Sequence, residues 1–222
     1  MSRPIWIKVC GVRTVDAARD IVRCRPDAIG LNFFAKSPRS VDVETAAEIV
    51  RHLPEEVEPI GLFVNHPIDE VRQICEACGL STVQLHGDET PEFAAELKPL
   101  RVLRAFRVGE EGLDDVERDL ERYETLDVSL VGCLVDARIA GAYGGTGHRA
   151  PWDLLARHWP SSWPHLVLAG GLAPENVAEA IATVGPWGVD VASGVESAPG
   201  VKSPELVRQF VERARTADAP LA

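Results

Sequence analysis

The sequence contains no apolar run close to the roughly 20 residues that a transmembrane helix requires. Positive charge is also scarce, because 23 lysines and arginines stand against 34 aspartates and glutamates, for a formal net charge of −11. An acidic chain repels nucleic acids and anionic membranes, so neither is an expected partner. An anionic ligand therefore requires a local positive site, built from backbone N–H groups and a few basic side chains.

Signals for metal binding and for secretion are missing as well. No pair of histidines has the spacing of metal ligands, and the carboxylates are scattered, so no metal site is expected. The N-terminus lacks the apolar segment of a signal peptide and the cysteine count of five is odd, which favours reduced thiols in the cytoplasm. Cys75-Glu-Ala-Cys78 has no second pair. It indicates one buried and one partly exposed thiol near a helix end capped by Gly79.

What the chain does have is a regular alternation of strands and helices. The predicted strands are short apolar runs, typical of strands buried on both faces of a parallel sheet. They are Ile5–Cys10, Ala28–Phe33, Pro59–Val64, Ser81–Leu85, Arg101–Phe106, Leu130–Val135, His165–Leu168 and Trp187–Val191. Each is followed by a helix signal: Thr14, Val43–Leu53, Pro67 before Ile68–Cys78, Thr90-Pro91, Leu113–Tyr123, Pro151, Pro174 and Ser203-Pro204.

Eight such units predict one α/β domain over residues 1–222, a closed (β/α)8 TIM barrel, with a flexible tail at about 216–222. The competing fold is a doubly wound open sheet, which usually carries a glycine-rich first turn. The first turn here, Cys10-Gly11-Val12-Arg13, lacks that fingerprint. No linker rich in proline, glycine or serine divides the chain.

Glycine-bearing segments follow the last two predicted strands, at Gly170-Gly171 and at Ala192-Ser193-Gly194. Active sites of barrels form at the C-terminal ends of the strands. Glycines let the backbone approach a ligand closely, and free N–H groups near helix N-termini bind anions. We therefore predict a phosphate site here, the alternative being that these glycines only make tight turns.

Cys10 and Asp136 end the first and sixth predicted strands, and both are candidates for proton transfer. Lys8 should face the same side as Cys10 and could favour its thiolate, which would let Cys10 act as a base. Asp136 follows an apolar run and could keep its proton and act as an acid. Two alternatives stay open: Cys10 as a buried structural thiol, and Asp136 as a cap of the next loop.

Two further polar residues lie at predicted strand ends. Arg39 follows Ser37-Pro38 in the loop after the second strand, and arginine recognises carboxylates with two parallel hydrogen bonds. The alternative for Arg39 is a solvated loop residue. Gln84 lies next to the last residue of the fourth predicted strand and is a candidate substrate-binding residue.

Taken in order, these strand ends resemble the phosphoribosylanthranilate isomerases of tryptophan biosynthesis. The matching segments span nearly the whole chain and are specific as an ordered set. They are Lys8–Gly11, Lys36–Arg39, Gly61–Asn65, Val83–Gly87, Val135-Asp136, Tyr143–Gly147, Leu168–Leu172, Pro174–Val177, Asp190–Glu196 and Pro199-Gly200. Val12 and Arg13 depart from the Ile-Thr that often follows in the family, and Lys202 has no assigned counterpart.

The resemblance implies a TIM barrel without a cofactor that carries out an Amadori rearrangement of a phosphorylated small molecule. It implies Cys10 as general base, Asp136 as general acid and Arg39 as the residue that holds the anthranilate carboxylate. The segments Gly170-Gly171 and Ala192-Ser193-Gly194 match the phosphate site. The expected assembly is a cytoplasmic monomer or homodimer.

Two other functions remain as alternatives. The isomerase of histidine biosynthesis runs a similar reaction, but it typically has a carboxylate where this chain has Cys10, and it grips two phosphates. An inert barrel that binds a phosphorylated metabolite and regulates a partner is the second alternative. The presence of both Cys10 and Asp136 argues against that second alternative.

Overall fold

The computed structural model describes residues 4–109, 111–137 and 151–217. Eight parallel strands close into a barrel, in which each strand pairs with the next and β8 pairs with β1. The strands are β1 (Trp6–Cys10), β2 (Ala28–Asn32), β3 (Glu58–Phe63), β4 (Thr82–Leu85), β5 (Arg101–Val108), β6 (Leu130–Ala137), β7 (Leu166–Leu168) and β8 (Gly188–Val191). The predicted barrel is confirmed, and the closed sheet excludes the doubly wound alternative.

A helix follows each barrel strand on the outside of the sheet. The helices are α1 (Val15–Val22), α2 (Val43–Arg51), α3 (Ile68–Cys78), α4 (Pro91–Glu96), α5 (Asp114–Thr125), α6 (Trp152–His158), α7 (Val177–Val184) and α8 (Pro204–Ala217). Side chains of Thr14, Asp42 and Thr90 accept hydrogen bonds from N–H groups in the first turns of α1, α2 and α4. None of the helices in the described ranges is long and apolar enough to cross a membrane.

Apolar side chains fill both sides of the sheet. The larger cluster lies between the strands and the helices and includes Ile7, Val9, Leu31, Phe63 and Phe210. A smaller cluster fills the lower interior of the barrel: Trp6, Ala28, Ile60, Leu103, Ala105, Leu134, Val167 and Ala169. Because successive side chains of a strand point to opposite faces, the positions two residues further along these strands face the upper interior, where the cavity described below opens.

Two local features differ from the predictions. Helix α7 begins at Val177 and not at Pro174, because the Asn176 side chain bonds to Ala173 N and Gly171 O and so shapes the loop before the helix. A two-stranded antiparallel hairpin, β9 (Glu196–Ala198) and β10 (Val201–Lys202), follows the barrel and was not predicted. Strands this short have too few residues to show the alternation of apolar and polar side chains from which a strand is predicted.

Two predictions about exposure and order were also wrong in part. Thr216 and Ala217 belong to α8, where the Thr216 hydroxyl donates to the Glu212 carbonyl, so only residues 218–222 of the predicted tail lie outside the described ranges. Cys75 and Cys78 are both buried, because Cys78 packs against the start of α2 and donates its thiol hydrogen to the Val43 carbonyl. Gly79 caps α3 in the left-handed conformation, as predicted.

Candidate active site

A cavity of about 440 Å³ opens at the C-terminal ends of the barrel strands. It brings together eight of the nine predicted site residues, which come from six different strand ends or the loops after them: Cys10, Arg39, Gln84, Asp136, Gly170, Gly171, Ala192 and Ser193. The predicted segment Tyr143–Gly147 lies outside the described residues. Sequence positions as distant as 10 and 193 therefore share one concave surface.

Cys10 is buried at the end of β1, beside Gly30 of β2. A Cβ atom added at Gly30 would lie 2.6 Å from the Cys10 sulfur, so this glycine makes room for the thiol. Burial raises the pKa of Cys10, and Lys8 opposes that shift without reversing it. Lys8 thus favours the thiolate, as expected, but desolvation of the thiolate is the larger effect.

Lys8 lies below Cys10 on the same strand and forms an ion pair with Asp190 of β8. The distance from Lys8 Nζ to Asp190 Oδ1 is 2.8 Å, and the Lys8 side chain is fully buried. Burial lowers the pKa of Lys8, but Asp190 and Cys10 outweigh this and leave the pKa raised. Lys8 thus stays charged inside the barrel, where it both lines the interior and favours a negative charge on Cys10.

Asp136 is buried at the end of β6, on the opposite arc of the barrel from β1. His86 lies beside it, with Nε2 at 3.7 Å from Asp136 Oδ2, and Gln84 Nε2 lies 2.7 Å from His86 Nδ1. Within the described part of the chain, Gln84 Oε1 and His86 Nε2 are buried without a hydrogen-bond partner. Such atoms are costly to bury unless a ligand or water satisfies them, so they indicate a polar ligand in the cavity.

The loops after β7 and β8, where the anion site is predicted, both border the cavity. Gly170 and Gly171 have φ of +81° and +64°, which L side chains rarely adopt. Asn176 fastens this loop by donating to the Gly171 carbonyl at 2.8 Å. Gly194 lies behind the cavity, where an added Cβ would be 2.0 Å from the Leu172 carbonyl oxygen. The two loops therefore lie so close together that a side chain at position 194 would collide with the loop after β7.

Arg39 lines the cavity, but its guanidinium also has a protein partner that the sequence did not suggest. Its Nε and Nη2 donate to the two carboxylate oxygens of Glu196 at 2.8 and 2.9 Å. Lys202 donates to the same carboxylate at 2.8 Å and to the Ala192 carbonyl at 2.8 Å. The alternative of a solvated loop arginine is wrong, because the Arg39 side chain is only 14% exposed.

Several functional candidates were missed from the sequence, and a simple signal could have found two of them. His86 comes two residues after Gln84, and Asp190 comes two residues before Ala192, so each shares a strand face with a predicted residue. Asn176, Glu196 and Lys202 lie in loops and a hairpin, where no such periodicity applies. Among the residues that the structure describes, no group of three or more histidine, cysteine or carboxylate side chains could hold a metal ion.

The comparison with protein families decides the identity of this barrel. A family model described as N-(5'-phosphoribosyl)anthranilate (PRA) isomerase matches residues 7–213. The chain belongs to this family. The PRA isomerase of Myxococcus xanthus is 47% identical over 96% of this chain and 97% of its own length. That of Geotalea daltonii is 44% identical over 94% of this chain and 96% of its own length.

Solved structures of PRA isomerases superpose on the whole barrel. The enzyme from Thermotoga maritima has a TM-score of 0.84 at 32% identity, and the match covers 96% of this chain and 99% of that one. A PRA isomerase in complex with reduced 1-(o-carboxyphenylamino)-1-deoxyribulose 5-phosphate has a TM-score of 0.82, with the same identity and coverage. The family resemblance predicted from the strand ends is thus confirmed.

Proposed function

We propose that this chain isomerises N-(5'-phosphoribosyl)anthranilate to 1-(2-carboxyphenylamino)-1-deoxyribulose 5-phosphate in tryptophan biosynthesis, with Cys10 as general base and Asp136 as general acid. The observation that carries the proposal is that these two side chains line one cavity, together with the glycine loops after β7 and β8 and with Arg39. A thiol and a carboxyl group at separate points of one cavity supply the two proton transfers that an Amadori rearrangement needs.

The substrate has an anion at each end, and the cavity offers a grip for each. The phosphate fits the backbone N–H groups of Gly170-Gly171 and Ala192-Ser193, where the glycine conformations and the short 3₁₀ turn Ser193–Val195 expose main chain to the cavity. The carboxylate of the anthranilate fits the guanidinium of Arg39. Held at both ends, the ribose lies between Cys10 and Asp136, which places its reacting atoms near both groups.

The reaction then consists of two proton transfers. Asp136 gives its proton to the ring oxygen of the ribose, the bond from that oxygen to C1 breaks, and the nitrogen lone pair forms a protonated Schiff base. Cys10, as thiolate, removes the proton from C2, and the electron pair neutralises the iminium nitrogen and leaves an enolamine. Tautomerisation of the enolamine gives the ketone product.

The two groups must act in opposite protonation states, and for Cys10 burial and nearby charge have opposite effects on the thiolate. Burial raises the pKa of the thiol, and Lys8 opposes that shift. The positive iminium nitrogen adds a second charge beside the one on Lys8, and an opposite charge nearby favours the thiolate. A larger fraction of Cys10 is therefore thiolate after ring opening than before it.

The test is a fluorescence assay on freshly made phosphoribosylanthranilate with the wild type, Cys10→Ala and Asp136→Ala. We expect the wild type to consume the substrate without added metal or cofactor. Each variant should lose about 10²–10⁴-fold in rate, which is what one general acid or base contributes, while still binding the reduced product. If the wild type binds the reduced product but does not consume the substrate, the chain is instead a binding protein that regulates a partner. Full activity in Cys10→Ala rules out this base.

We further propose that the chain works as one domain in the cytoplasm, as a monomer or a homodimer. The five cysteines are all free thiols, which supports a reducing compartment. A solved relative from Thermotoga maritima is a dimeric enzyme of which monomers were generated, which supports considering both states. Light scattering during gel filtration measures which state this chain adopts.

A further inference from the structure

The guanidinium of Arg39 has two edges that can hold a carboxylate, and the protein occupies one of them. Glu196 takes the edge formed by Nε and Nη2, with both of its oxygens. Nη1 makes no hydrogen bond to a residue that the structure describes, so the edge formed by Nη1 and Nη2 remains for a second carboxylate. Glu196 thus fixes the orientation of the Arg39 guanidinium and leaves it able to bind a second carboxylate.

Glu196 is fixed in turn by Lys202. The hairpin brings these two residues opposite each other, and Lys202 Nζ lies 2.8 Å from Glu196 Oε1. The turn between the two strands contains Gly200 at φ +77°, where an added Cβ would lie 2.4 Å from the Pro38 carbonyl oxygen. The hairpin therefore packs directly on the loop that carries Arg39.

Lys202 also reaches the other anion grip. Its second hydrogen bond goes to the carbonyl of Ala192, the residue that opens the 3₁₀ turn Ser193–Val195 of the anion loop. Both side chains are nearly inaccessible to solvent, at 2% for Lys202 and 5% for Glu196. A continuous chain of contacts thus runs from Arg39 through Glu196 and Lys202 to the backbone of Ala192.

We propose that Glu196 and Lys202 are positioning residues that hold the carboxylate grip and the phosphate grip of this enzyme at a fixed separation. The proposal rests on the function proposed above. Among the described residues, those that line the cavity do not include Glu196 or Lys202. The two residues therefore act through Arg39 and Ala192. Fixing the grips before the substrate arrives lowers the entropy lost on binding and places the ribose between the acid and the base.

The first test asks whether Glu196 acts through the substrate carboxylate. Binding is measured by calorimetry for two ligands: the reduced carboxyphenylamino product, and the same compound without its carboxyl group. We expect Glu196→Gln to weaken binding of the carboxylated ligand by about tenfold, because glutamine presents an N–H₂ group to the guanidinium and offers one acceptor. Binding of the ligand without the carboxyl group should change by less than about twofold.

A matched control separates this effect from general damage. Asp27→Asn removes a carboxylate that pairs with Arg215 at 2.7 Å, away from the cavity. It should lower the melting temperature and leave the ratio of the two affinities unchanged. If Glu196→Gln weakens both ligands equally, or neither, Glu196 has no positioning role. Glu196→Asp, which keeps the charge but shortens the side chain, should show the same selective loss and serves if the glutamine variant does not fold.

The second test addresses Lys202 with inorganic phosphate as the probe. Lys202→Met frees the Ala192 carbonyl and should raise the dissociation constant of phosphate by about fivefold or more, whereas Glu196→Gln should change it little. Unchanged phosphate binding in Lys202→Met would overturn the link to the anion loop. These binding measurements do not depend on turnover. A wild type that is inactive but binds the carboxylated ligand more tightly than the ligand without the carboxyl group would contradict the proposed function. It would not contradict the positioning role of Glu196 and Lys202.

Discussion

Cys10 is the residue whose chemistry depends most on its surroundings. Its sulfur lies at the end of β1 above a buried lysine, in space that only a glycine at Gly30 leaves open. The strand-end rule predicted its position, because a residue that ends a barrel strand faces the mouth. The sign of its pKa shift was not predictable, since it depends on how completely the thiol is buried and not on the presence of Lys8 alone.

The reactivity of Cys10 should therefore follow pH in a simple way. Because burial raises the pKa of Cys10 above its ordinary value, the thiolate fraction grows about tenfold for each pH unit between about pH 6 and pH 8. Inactivation by iodoacetamide, measured as loss of isomerase activity, should accelerate by the same factor. The reduced product should protect the enzyme, and Cys24→Ala should show the wild-type profile. A rate that levels off below pH 8 would show that the pKa of Cys10 is lowered.

At the scale of elements, helices and strands were predictable where a local rule fixes them. The helix Ile68–Cys78 has the predicted bounds, because Pro67 precedes its first turn and Gly79 ends it in the left-handed conformation. The start of α7 was missed because the side chain of Asn176 overrides the proline signal at Pro174. The Glu196–Lys202 hairpin was missed because its contacts are with distant loops, which no local pattern encodes.

The close approach of the loops after β7 and β8 gives a prediction for Gly194. In Gly194→Ala, the new Cβ would collide with the Leu172 carbonyl oxygen, so the loops must separate. We expect KM to rise by about tenfold or more, with weaker binding of inorganic phosphate. Gly185→Ala is the matched control, because Gly185 caps α7 at φ +60° with nothing near its Cβ position. That variant should lose about 1 kcal/mol of stability from backbone strain and keep the wild-type KM.

At the scale of the whole molecule, the barrel is closed by the pairing of β1 with β8. The ion pair between Lys8 and Asp190 lies on this seam, with both side chains buried. The sequence predicted eight strands and their closure, because eight short apolar runs alternate with helices. It did not predict that a charged pair would join the first strand to the last, since the partners are 182 residues apart.

Removing one partner of this pair should destabilise the entire barrel. Asp190→Asn leaves the ammonium of Lys8 buried without a counter-charge, which typically costs about 3–5 kcal/mol. The free energy of unfolding in urea measures this loss. Asp16→Asn, which removes an exposed partner of Arg19, is the control and should leave stability unchanged. An equal effect of both substitutions would mean that the seam does not depend on its ion pair.

The same seam sets an order of events during protein synthesis. The ribosome releases β1 before β8, and Asp190 of β8 follows Lys8 of β1 by 182 residues. Until then the ammonium of Lys8 has no buried counter-charge, so the first strand to be made is among the last to be enclosed. A nascent chain that stops short of β8 therefore lacks both the closed barrel and the counter-charge that surrounds Lys8 and Cys10 in the folded protein.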